Sequence, residues 1–79
     1  MESNFYNLTH LQEGQSGIVT EITTSGDMRR RFLDLGIIEG TCIKCIQKSP
    51  YGDPTAYKIR GALIALRKDD SETIHIDFI

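Results

Sequence analysis

Tryptophan is absent from this chain, and cysteine, histidine, proline and methionine occur only twice each in 79 residues. Two cysteines with no second Cys or His pair cannot complete a four-ligand zinc site. No apolar run approaches the ~20 residues that span a bilayer, so no membrane insertion is expected. The start, Met1-Glu2-Ser3-Asn4-Phe5-Tyr6, has no basic stretch ahead of an apolar core, which argues against a secretory signal. A cytoplasmic protein with reduced thiols is the expectation. Positive charge is not in excess: nine Lys and Arg face eleven Asp and Glu, for a net charge of −2. That disfavours tight nucleic-acid binding, which needs a basic footprint. There is no Gly-x-Ser-x-Gly elbow, no Gly-x-x-x-x-Gly-Lys loop and no internal repeat. No catalytic constellation stands out, so an enzyme is not expected.

The content that remains is 39% hydrophobic and 25% charged, the balance of a folded domain. One domain over residues 1–79 is expected, with a lead-in over 1–15 and a barrel over 17–79. A chain this short buries only about 60% of its unfolded surface, so its core is small.

The clearest helical period lies between Gly26 and Gly40. Met28, Phe32 and Leu35 fall at i, i+4 and i+7 and share a face. Arg29, Arg30 and Arg31 cover the remaining surface with Asp34. Asp27 is placed to cap the start, and Gly36 sits where a helix end needs left-handed backbone. Such a short helix is marginal alone, below roughly 12–15 residues, and must rest on something. Strands supply that support. In the lead-in, Leu8 and Leu11 are spaced for one helical or 3₁₀ turn that could plug a sheet, and Gly14 breaks it.

Gly17 to Thr24 is rich in β-branched residues and reads as a strand, with Ile18 and Ile22 on one face and Val19 on the other or at a bulge. Thr41 to Lys48 is a second strand. Ser49 to Pro54 is a Pro/Gly loop. Thr55 to Arg60 is a third strand, with Thr55, Tyr57 and Ile59 sharing a face. Gly61 permits a tight hairpin into a fourth strand, Ala62 to Arg67. Lys68 to Glu72 reads as a charged turn. Thr73 to Ile79 alternates, with Ile74, Ile76 and Phe78 inward and His75 and Asp77 outward. Five short strands and one helix after the first of them point to a mostly β fold, curled into a small barrel that limits exposed edges.

The ordered set Leu8, Leu11, Gly14; Met28-Arg29-Arg30-Arg31-Phe32-Leu33-Asp34-Leu35-Gly36-Ile37; Gly40-Thr41; Gly52-Asp53-Pro54; Gly61; Ile64-Ala65-Leu66-Arg67; Ile74 and Ile76 resembles the FeoA family. Each tripeptide alone is weak, and the ordered combination is specific. The resemblance implies an SH3-like barrel of five strands. It also implies a cytosolic accessory role in bacterial ferrous-iron uptake, by contact with the cytosolic part of the GTP-binding membrane transporter FeoB. The same barrel is similar to the C-terminal domain of diphtheria-toxin-repressor type regulators, which makes a stand-alone metal-binding or sensing module the alternative. This chain has no helix-turn-helix with which to touch DNA. Glu39 stands where the family pattern has Pro, and Asp70-Ser71 where it has Glu-Ala.

Several residues carry two readings each. Cys42 and Cys45 form Cys-x-x-Cys, but on a strand residues three apart point to opposite faces, which places Cys45 inward and Cys42 outward. His75 with Asp77, and Cys42, are weak candidates for Fe²⁺ or another divalent transition metal; His10 is the other imidazole. No resident cofactor is expected. Arg29, Arg30 and Arg31 are either a solvated helix face or a docking surface for carboxylates. Tyr51, Asp53 and Pro54 are either a partner-binding loop or a turn whose Asp makes a local bond. Ala62 to Leu66 is either a strand buried on both sides or an apolar face awaiting a partner or a second copy, with weak self-association.

Overall fold

The computed structural model describes residues 6–79. Its elements run in the order β1 (Tyr6–Asn7), a 3₁₀ turn (Leu8–His10), β2 (Ser16–Ile22), α1 (Gly26–Leu35), β3 (Cys42–Lys48), β4 (Thr55–Ile59), β5 (Ala62–Leu66), α2 (Lys68–Ser71) and β6 (Ile74–Phe78). The strands form one six-stranded sheet in the order β1-β6-β2-β3-β4-β5. Every pairing is antiparallel.

The sixth strand corrects the expected five. Tyr6 and Asn7 lie in the segment read as a lead-in, yet they pair with Ile76 and His75. The helix therefore follows the second strand. The lead-in reading of residues 1–5 lies outside the described residues. The 3₁₀ turn does plug the sheet, with Leu8 and Leu11 fully buried. Asn7 caps it: its side-chain oxygen accepts from the Thr9 N–H at 2.9 Å.

Twelve apolar residues make one buried cluster, drawn from the 3₁₀ turn, α1 and β2 to β6. Tyr57, Phe32, Ile37, Ile43, Ile59, Ile74 and Ile76 are among its largest members. Each such side chain contributes roughly 1.5–3 kcal/mol through burial. Two inward assignments change, on β5 and β6. On β2, where a bulge at Val19 is one of the expected arrangements, Val19 enters the core at 1% exposure and Ile18 is half-buried. A register shift between Val19 and Glu21 lets Val19 and Ile22 both face inward, opposite Ile76 and Ile74. Phe78 is 42% exposed, because β6 outruns the core, and its ring meets Tyr6 edge-on at 4.7 Å. β5 is an edge strand and not buried on both sides: Leu63 stands 67% exposed, while Leu66 faces in.

The helix has the expected span, with one change at its start. Ser25 is the N-cap residue, without a side-chain bond, and Asp27 lies in the first turn. There its charge favours the positive end of the helix dipole. At the other end Gly36 has φ +89°. Its N–H donates to Leu33 O at 3.0 Å, and the Ile37 N–H reaches Phe32 O at 2.9 Å. This double closure is a Schellman ending. Phe32 and Ile37, the residues it joins, are both fully buried. The Arg60 side chain lies over Gly36, so an added Cβ would collide with its Cδ. Arg60 and Gly61 both have positive φ and form the two-residue turn between β4 and β5. The expected charged turn at residues 68–72 is a single helical turn, α2.

Gly36→Ala is expected to destabilise the fold by about 1–2 kcal/mol, from the left-handed backbone alone. In a domain of this size that lowers Tm by roughly 4–16 °C, read by thermal denaturation. A Tm unchanged from wild type would contradict the helix ending described.

Burial pushes the Tyr57 phenol above its ordinary 10.0 and the Cys45 thiol above its ordinary 9.0. Folding therefore favours the neutral forms. Their contribution is intact below 10.0 and 9.0 respectively, and is lost as pH climbs above those values through the raised folded-state ones. Urea denaturation from pH 7 to 11 should show stability falling on the alkaline side, with a shallower fall in Tyr57→Phe. Equal slopes in the two proteins would oppose that assignment.

Candidate partner-docking surface

Arg29, Arg30 and Arg31 are all exposed on α1, and they are not equivalent. The Arg29 Nη1 donates to Ile22 O at 3.0 Å, bracing the helix against the end of β2. Arg29 is thus partly committed to structure. Arg30 and Arg31 carry their guanidinium groups on the exposed side of the helix. Beside Arg29 runs a groove of about 330 Å³, lined by Glu21, Ile22, Arg29, Leu33, Ile38 and Glu39. Leu33 is 49% exposed and Ile38 45%. The groove has an apolar floor with charges of both signs at its rim, a surface suited to an amphipathic segment.

The sequence reading missed Leu33 and Ile38. Leu33 is off the Met28-Phe32-Leu35 stripe, and that is the signal that could have found it. Ile38 follows buried Ile37 in the glycine-bounded turn. That turn is held by Thr41, whose Oγ1 donates to Gly36 O at 2.9 Å and accepts from the Ile38 N–H at 3.2 Å.

The second predicted cluster lies elsewhere. Tyr51, Asp53 and Pro54 follow β3, whereas α1 precedes it. A seven-residue strand spans roughly 20 Å, so the two clusters sit at opposite ends of β3 and do not form one site. Tyr51 is 95% exposed at the loop tip. The loop is closed by Gly52 N–H to Ser49 O at 2.8 Å and by Asp53 N–H to Ser49 Oγ at 2.9 Å. Asp53 Oδ1 accepts from the Lys68 N–H at 2.9 Å, which ties the loop to the start of α2. Asp53 therefore has a structural task, whereas the Tyr51 side chain stands in solvent. Pro54, with Pro50, Ala56 and Ala65, lines a shallow apolar patch across β4 and β5.

The metal candidates do not converge. Cys42 is exposed and Cys45 buried, on opposite faces of β3 as their spacing requires. His75 is half-buried and Asp77 exposed on the outer face of β6, with Glu21 opposite His75. Among the described residues no three His, Cys, Asp or Glu side chains gather to hold an ion. The His10 Nδ1 accepts from the Asn7 N–H at 3.0 Å. In the neutral ring its other nitrogen then carries the proton, which leaves no free lone pair for a metal. No helix among the described residues is long and apolar enough to cross a membrane.

Comparison with known proteins matches this geometry. A solution structure of FeoA from Chlorobium tepidum superposes with a TM-score of 0.87 at 30% identity, covering 92% of this chain and 70% of that one. A zinc complex of Stenotrophomonas maltophilia FeoA, a prokaryotic SH3 domain protein, superposes with a TM-score of 0.79 over 90% of this chain and 88% of that one. At 23% identity this second likeness bears on the fold alone, which is SH3-like. A fusion of Fe(2+) transport protein A with the Fe(2+) transporter FeoB from Porphyromonas gingivalis is 29% identical over 72 residues, or 91% of this chain. This chain spans 8% of that protein's length. The FeoA domain model matches residues 6–77, and the chain belongs to the FeoA family.

Proposed function

We propose that this protein is a cytoplasmic accessory of bacterial ferrous-iron uptake that works by contact with the cytosolic part of the GTP-binding transporter FeoB. The observation that carries this reading is the Porphyromonas gingivalis relative, where a domain of this kind and the transporter share one polypeptide. Fusion makes sense when two parts must meet, because a tether replaces a bimolecular encounter with a high effective concentration. The contact residues proposed are Arg30, Arg31 and the Leu33–Ile38 groove at one end of β3, and Tyr51 at the other. Arg29 lines the groove, and Asp53 and Pro54 flank Tyr51 in its loop. The role is binding rather than catalysis.

Self-association is expected to be weak at most. A two-fold pairing of β5 edges would set Arg60, Arg67 and Lys68 of one copy against those of the other, and like charges across strands repel. Nucleic-acid binding is opposed by the net charge of −2.

A metal-sensing role is the second reading; zinc binding is a property of the Stenotrophomonas maltophilia protein. Here its ligands would have to come from His75, Asp77 and Cys42, which lie on separate strands or exposed faces.

Pull-down with the transporter's cytosolic domain and with its membrane-embedded part tests the main reading. Association is expected. Arg30→Glu with Arg31→Glu should weaken it about tenfold, equivalent to roughly 1.4 kcal/mol, as should Leu33→Ser. No association with either part, together with normal iron uptake in a deletion strain, would overturn it. Anaerobic calorimetry with ferrous iron decides the second reading: the expectation is no tight one-to-one binding. Stoichiometric binding abolished by His75→Ala would favour sensing instead.

A further inference from the structure

One buried side-chain polar atom among the described residues has no hydrogen-bond partner: the Ser71 hydroxyl, on a residue only 1% exposed. Its position is not accidental packing against apolar groups. Ser71 lines a cavity of about 150 Å³ together with Thr9, Lys48, Thr55, Tyr57 and Lys68. The cavity lies between the 3₁₀ turn, the ends of β3 and β4, and α2. Its charged lining is of one sign. Both charged side chains that border it are lysines.

Two carboxylates lie near these lysines and accept from their backbone N–H groups. Glu13 Oε2 accepts from the Lys48 N–H at 2.8 Å, and Asp53 Oδ1 accepts from the Lys68 N–H at 2.9 Å. Neither carboxylate lines the cavity. Two other hydroxyls at the site are already donating: Tyr57 to Leu8 O at 3.3 Å, and Thr9 to the Asn7 side chain. The Ser71 and Thr55 hydroxyls both lie beside the Tyr57 phenol; Ser71 is the buried one that makes no hydrogen bond. A buried donor without a partner is unfavourable, so a group that accepts from it gains on entering.

We propose that this cavity binds a small oxyanion of the phosphate class. Lys48 and Lys68 supply the charge, and Ser71 supplies the buried hydrogen bond that distinguishes the site from a lysine-bearing surface. The volume is several times the ~30 Å³ of a liquid water molecule, enough for one tetrahedral ion. It is well below the roughly 300 Å³ at which pockets for larger organic ligands begin. A whole nucleotide therefore does not fit, whereas a free phosphate does, and so does a phosphoryl group whose remainder stays outside. Ordered water is the competing occupant, and it would not discriminate among anions.

The test uses the full chain labelled with ¹⁵N, titrated at constant ionic strength with inorganic phosphate, with chloride as control. Saturable shifts are expected at Thr9, Gly52, Thr55 and Ser71, with a phosphate-dependent rise in Tm that chloride does not produce. Lys48→Met with Lys68→Met should weaken binding at least tenfold. Ser71→Ala removes an unpartnered hydroxyl, should fold normally, and should weaken binding several-fold. A parallel arm with glycerol 2-phosphate separates the sources. Equal saturation there assigns the site to phosphoryl groups on larger molecules, and saturation by inorganic phosphate alone assigns it to the free ion. Shifts that never saturate, that chloride reproduces, or that persist in the double lysine variant would overturn the proposal.

Discussion

A left-handed backbone at Gly36 decides where α1 stops, and most of the molecule is arranged around that stop. With φ at +89°, the chain reverses and the Ile37 N–H returns to Phe32 O. One further helical residue would turn the next side chain by about 100°. Ile37 would then leave the core and Phe32 would lose the neighbour that seals it. The turn that follows is tied back to the sheet by a backbone pair: Gly40 N–H to Val19 O at 2.8 Å and Val19 N–H to Thr41 O at 2.9 Å. The helix end, the β2 bulge and the start of β3 are thus one assembly. The apolar face of a helix that would be marginal alone gains its stability here, from packing rather than from propensity.

Legibility in the sequence followed period and length. α1 was readable because three apolar residues at helical spacing end on a glycine. Cys45 inward and Cys42 outward followed from strand parity, and the β4–β5 hairpin from Gly61. β1 was unreadable because two residues carry no period; only the partner strand makes Tyr6 and Asn7 a strand. The bulge in β2 reverses parity midway, so alternation alone could not say which of Ile18 and Val19 faces the core. β5 is an unbroken apolar run, and such a run looks alike whether a neighbour covers it or it lies at an edge. Among the predicted contact residues, type and exposure could be anticipated for Arg30, Arg31 and Tyr51. The bond from Asp53 to the backbone of Lys68, fifteen residues on, could not, because it depends on how the loop and α2 meet. The unpaired hydroxyl of Ser71 is a property of packing and leaves no trace in a single sequence.

Two carboxylates in this protein accept from backbone N–H groups at element ends. Glu13 serves Lys48, and Asp53 serves Lys68. Asp27 occupies the first turn of α1. Arg30 and Arg31 at one end of β3, and Lys48 and Lys68 at the other, form local basic groups although the overall balance is acidic. Local charge, rather than net charge, is what a partner or an ion meets at each end of β3.

The pairing of Tyr6 with Ile76 sets the first and last described strands side by side. Any polypeptide continuing from either terminus therefore departs from one corner of the sheet. The same adjacency makes the domain a natural substrate for circular permutation: a short splice could join the ends, and new ends could be opened at the exposed tip of residues 51–52 without cutting a strand.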